Sequence, residues 1–220
     1  MKGKIEALLI TTFYFFTTVT AQVPVSEEPR HVPVVVNEYI RLLDVWLPPG
    51  DTTWFHIHST PSVFVPFTNT LVTSEAEDED WKSEQMIAGK VWYRSFTPDS
   101  LIHRVANLDS TPFHVNDIEI LSYYDTVSYR RKLYFPLLFD NDRVTAYNLT
   151  RKYYATSIVQ DRGPIIVALI SGDLVYYTNT VTNQKSIMKA GEYLYIDPES
   201  SFYFSFKGNQ PVNMILFEIK

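Results

Sequence analysis

The chain has 220 residues, 45% of them hydrophobic, and a formal net charge of −6. That length suits one long domain or two short ones with a real core, and an acidic chain without a basic stripe speaks against nucleic acid as a partner. It contains no cysteine, which excludes a disulfide scaffold and any thiolate metal site.

Residues 1–21 read as a secretory signal. Lys2 and Lys4 give a positive start, the apolar run Ala7–Thr20 follows, and Val19-Thr20-Ala21 is a small-residue cleavage site before Gln22. The run is short for a membrane span, which needs about 20 apolar residues. The expectation is an exported chain, periplasmic or extracellular, cleaved near Ala21 and without a span in its mature form. Residues 22–35, rich in Pro, Val and Glu, read as an extended arm, with His31 as a solvated residue on it. From Asn37 onward short aromatic and β-branched runs alternate with turn residues, which predicts strands and no long amphipathic helix. Ser74–Asp80 is an acidic stretch that reads as a solvated hairpin tip.

The most informative text is Pro48-Pro49-Gly50-Asp51-Thr52-Thr53-Trp54-Phe55-His56-Ile57-His58. On a strand, side chains two apart share a face, so His56 and His58 present two imidazoles to one side. Neutral imidazole is a common ligand for Zn, Fe, Ni and Cu. Continuing the alternation puts Thr52, Trp54, Thr60, Ser62 and Phe64 on the same inward face, a pocket part aromatic and part hydroxyl. The later strand Pro112–Ile120 is expected to turn Ile118 and Ile120 inward, with Asp117 and Glu119 outside. The same phase makes His114 a candidate second-layer group or proton shuttle.

The segment around His56 resembles the first signature of the cupin superfamily, a glycine, five residues, His-x-His, and then a glutamate and a glycine. Gly50, His56 and His58 fit; the glutamate position falls on Ser62 and the closing glycine on Asn69, a residue that tolerates a left-handed turn. Pro98-Asp99-Ser100-Leu101-Ile102-His103-Arg104-Val105-Ala106-Asn107 is similar to the second signature through its proline, histidine and asparagine, with Ser100 in place of glycine. The resemblance implies an all-β fold of double-sheet jelly rolls. It also implies one divalent transition metal (Fe, Zn, Mn or Ni) held by His56, His58 and His103. Ser62 removes the family's usual carboxylate ligand.

The chain repeats itself at about 100 residues. Pro98-x-Ser100-x2-His103 matches Pro198-x-Ser200-x2-Tyr203, Asn37–Ile40 echoes Asn141–Val144, and Glu119-Ile120 matches Glu218-Ile219. Such a repeat predicts two copies of one domain: two jelly-roll barrels in tandem, 36–125 and 128–220, after the arm. In the second copy Val159 and Asp161 stand for His56 and His58, Ile165 for Ser62 and Tyr203 for His103, so that copy is expected to bind no metal and to be filled by side chains such as Tyr203 and Ile165. Asn148-Leu149-Thr150 is a glycosylation sequon only in a eukaryotic setting.

Three histidines without a carboxylate leave coordination positions open. That fits an oxygenase or isomerase acting on a small organic substrate. The lost glutamate and the degenerate second copy fit instead a non-catalytic module that captures a small ligand, and from the residues alone both readings stand.

Overall fold

The computed structural model describes residues 22–124, 132–150 and 157–220; the expected signal segment and the junction between the two expected domains lie outside them. Among the described residues the structure is all-β. In the first half the strands are β1 (Val23–Pro24), β2 (His31–Val36), β3 (Ile40–Leu47), β4 (His56–His58), β5 (Ser62–Pro66), β6 (Thr70–Ala76), β7 (Lys82–Met86), β8 (Trp92–Arg94), β9 (Leu101–Asn107) and β10 (Phe113–Ile120). In the second half they are β11 (Leu137–Asp140), β12 (Val144–Thr150), β13 (Ile165–Ser171), β14 (Val175–Asn179), β15 (Lys185–Met188), β16 (Tyr193–Ile196), β17 (Phe202–Phe206) and β18 (Asn213–Ile219). A single 3-10 turn, Val25–Glu27, interrupts the arm.

Four sheets result. The first half makes an outer sheet, β1-β4-β9-β6-β7, and an inner sheet, β2-β3-β10-β5-β8; the second half makes an inner sheet, β11-β12-β18-β13-β16, and an outer sheet, β15-β14-β17. The two inner sheets have the same strand order under one renumbering. The sequence echoes coincide with this. Ile40 pairs with Ile120 as Val144 pairs with Ile219. The Asn37 side chain accepts hydrogen bonds from the Tyr39 and Ile40 amides, as that of Asn141 does from Arg143 and Val144.

Alternation sorts the core into three layers. Leu43, Val45, Leu47, Phe113 and Val115 pack between the first two sheets. Their alternate neighbours Ile40, Leu42, Ile118 and Ile120 turn the other way and meet Val144, Ala146, Ile166, Ile215, Phe217 and Ile219 of the second inner sheet. Tyr147, Leu149, Val167 and Leu216 pack against Tyr177, Phe202 and Phe204 of the last sheet. Every residue of β10 is buried, because its sheet is covered on both faces.

That double burial overturns the predicted phase of β10. Ile118 and Ile120 mark the seam between the halves, while Val115, Asp117 and Glu119 share the opposite face. Asn69 differs too. Its φ is not in the left-handed range, and its side-chain oxygen instead accepts the Ala88 amide at 2.9 Å. The acidic stretch is the end of β6 and the turn into β7. There Glu75 pairs with Arg104 at 2.5 Å and Glu79 with Lys82 at 2.6 Å.

Candidate metal centre

His56 and His58 occupy the two ends of β4, both buried, and point to one side. In the antiparallel pairing of β4 with β9, His56 lies directly opposite His103. The ring centroids of His56, His58 and His103 are 5.0, 4.6 and 5.1 Å apart, pair by pair. His58 Nε2 is 3.1 Å from His103 Nε2. His56 donates from Nδ1 to the Trp54 carbonyl at 2.9 Å, which fixes its tautomer and leaves Nε2 buried with no partner. An imidazole held by one nitrogen, with the other facing its neighbours, is the arrangement of a metal ligand.

Burial, and then the neighbouring His31, push His56 down to about 4. Burial, and then His56, push His103 down to about 3. His58 shifts further the same way through burial and then His103. All three rings are therefore neutral near pH 7, the form that binds a cation. Asp117, fully buried, sets its Oδ2 3.4 Å from His58 Nδ1. Burial, and then Glu119, raise its carboxyl well above the ordinary range.

These groups open into a cavity of about 500 Å3. Its walls are largely apolar. Phe96 stacks on His58 with centroids 5.0 Å apart, and Phe64 stacks on Trp92 at 5.0 Å. Arg94 and Lys82 bring positive charge to the lining.

The other expected pocket residues separate. Phe64 lines the cavity. Ser62 is buried on the same face, donates its hydroxyl to the Thr60 carbonyl at 3.0 Å and lies against Asp117. Trp54 does not line the cavity: the residue is 59% exposed. The strand begins only at His56, so strict alternation fails before it, and Thr53 takes the inward place. His114 is also turned away, on the seam face of β10. There it bonds Asp44 at 2.8 Å and is stacked between Trp46 and Phe67.

One site residue went unforeseen. His31, expected to be solvated, is buried on β2 and lines the cavity. Its ring centroid is 4.6 Å from that of His56. One ligand nitrogen each from His31, His56 and His58 falls within 4.8 Å of the others. Glu28, three residues earlier, bonds His31 Nδ1 at 2.6 Å. The only signal in the sequence was that Glu-x2-His spacing, which has no meaning until the arm docks.

In the second half, Val159 bridges Phe202, as His56 pairs with His103. Val159, Phe202 and Phe204 are buried in the core with Ile165. Tyr203 alternates out of that core, so the interior is filled by its neighbours, one residue out of step with the repeat as read from sequence. Asp161 is exposed at φ 56°.

No family model and no curated protein sequence matches the chain. Solved structures do. AerE from Microcystis aeruginosa superposes with a TM-score of 0.58 at 13% identity, over 88% of this chain and 98% of that one. A salicylate 1,2-dioxygenase from Pseudaminobacter salicylatoxidans gives 0.60 at 10% identity, over 89% and 77%. A cupin 2 conserved barrel domain protein from Leptotrichia buccalis gives 0.55 at 12%, over 86% and 88%. With the strand order, the paired signatures and these neighbours in agreement, the chain has the cupin fold.

Proposed function

We propose that this is an exported, metal-binding cupin of two tandem jelly-roll units, about 36–125 and 128–220. Its first unit holds one divalent transition metal through His56, His58 and His103, and uses it in an oxygenase or isomerase reaction on a small organic substrate. The observation that carries this reading is the convergence of three neutral imidazoles, one with an unpartnered buried Nε2, on a largely apolar cavity. A bound metal would supply a Lewis acid with open positions. The chain's own residues do the rest. Phe64, Trp92 and Phe96 exclude water and grip an apolar substrate body, and Arg94 favours an acidic group on it. The second unit covers the inner sheet of the first and carries no chemistry.

Metal analysis of the protein starting at Gln22, with His103→Ala beside it, tests the reading. About one equivalent of transition metal in the native chain, lost in the variant, is expected. Oxygen uptake or turnover with a panel of small organic acids then supports the enzyme. Stoichiometric metal without turnover, but with ligand-induced stabilisation, would establish a binding module instead. A native chain that takes up no metal would overturn both.

A further inference from the structure

The arm that brings His31 to the cavity is tied to the histidine strand in three ways. β1 runs parallel to β4, with Val23 opposite His56. Val25 is buried in the core beneath the cavity. Glu28, itself buried, accepts from His31 Nδ1 through Oε2 and from the Trp54 amide through Oε1 at 3.1 Å. The Trp54 carbonyl in turn receives His56 Nδ1. One carboxylate thus holds two of the imidazoles.

With Nδ1 given to Glu28, His31 has Nε2 left as a ligand atom. This is the carboxylate–histidine pairing that orients metal-bound imidazoles and raises their basicity. His31 enters from the inner sheet, through β2, while the other three histidines come from the outer one. The inner sheet is also where Ser62 stands on β5, without the carboxylate that would have reached the metal from that side.

Resting on the metal-binding reading above, we infer that His31 is a fourth imidazole ligand of the same metal, carried by the N-terminal arm and positioned by Glu28. The first coordination sphere is then all nitrogen and neutral, and the bound cation keeps its full charge toward the cavity.

The experiment loads the chain from Gln22 with Zn(II) after chelator treatment. It reads affinity by calorimetry and the number of coordinating imidazoles by X-ray absorption at the zinc edge. Native protein is expected to show four imidazoles. His31→Ala should show three, with the dissociation constant raised roughly tenfold or more, and Glu28→Gln should weaken binding roughly tenfold with a lower imidazole count. His114→Ala, on the far face of β10, should change neither. Should His31→Ala not fold, His31→Phe, which keeps the bulk of the ring, is read the same way. Native protein with one zinc on three imidazoles, or a His31 variant with unchanged affinity and count, would overturn the fourth ligand and leave the three-histidine site standing. Native protein that binds no zinc would overturn both.

Discussion

The carboxylate nearest the three histidines is Asp117, and it approaches His58 from the Nδ1 side, away from the ring nitrogen that faces His103. That side of the ring is where a group could aim His58, not where it would take a coordination position. The two make no hydrogen bond in the metal-free chain; once a cation draws electron density from the ring, its Nδ1–H would become a stronger donor toward Asp117. Asp117→Asn keeps the shape and removes the charge. Zinc affinity is expected to fall about tenfold, the lower end for losing such a partner, with the imidazole count unchanged. The melting temperature of the metal-free protein should hold or rise, because an ionisable group no longer has to be buried. Calorimetry and a thermal melt check the two halves, and unchanged affinity would show that Asp117 does not aim His58. Asp117 was also where the sequence misled. A strand buried on both faces offers no polar side by which to set its phase, so Ile118 and Ile120 looked like the cavity wall when they are the seam. His114 was misplaced for the same reason, whereas the shared face of His56 and His58 needed only the alternation of one strand; that His103 lies opposite them accords with the resemblance to the second cupin signature.

At the scale of elements, β4 and β9 bring together three neutral histidines, two buried and one half-buried, and the metal-free protein should be acid-sensitive in a defined window. The pKa of His56 falls from 6.5 to about 4, and that of His103 to about 3. Below 6.5 the unfolded chain gains protons that the folded one refuses. Stability is therefore complete above that pH and is lost as pH drops toward 4 and then 3. By pH 5 the loss is on the order of 2 kcal/mol for each histidine. Asp117 acts in the opposite sense, since its raised folded pKa favours the folded chain as pH falls, against the three histidines, His58 included. Urea unfolding of chelator-treated protein at pH 7.5 and 5.0 should show a lower midpoint at pH 5.0. His103→Phe should reduce the difference, and a midpoint independent of pH would mean that the rings are hydrated. The all-β character and the echo between Asn37–Ile40 and Asn141–Val144 were readable because each rests on local sequence. The arm was not readable, because its role depends on β1 pairing with β4 more than thirty residues later.

For the whole molecule, the seam between the two inner sheets is a continuous apolar layer that joins the two halves. Phe217, fully buried, lies in it with Ile40, Leu42, Ile118 and Ile166. Phe217→Ala is expected to cost about 3–5 kcal/mol, lowering the melting temperature by roughly 10 °C in a chain of this size. Differential scanning calorimetry reads it. A shift of only a degree or two would mean that the halves are held mainly by something else. The first half expressed alone, with Ile40, Leu42, Val63, Val65, Ile118 and Ile120 uncovered, is expected to associate or precipitate.

The seam has a further consequence, for which substitutions the chain can absorb. The second half contains no histidine, so its interior answers only to volume: at Val159, Phe202 and Phe204 any apolar side chain of fitting size should pass. Its outward face is under a stricter rule. Ala146 and Ala168 are small and wholly buried in the layer against the first half, so a larger side chain there should overpack it. In a saturation library scored for metal occupancy, a site that belongs entirely to the first half, forbidden substitutions should gather on the back of the other half as densely as they do around the histidines. The half without histidines would then be kept for its surface.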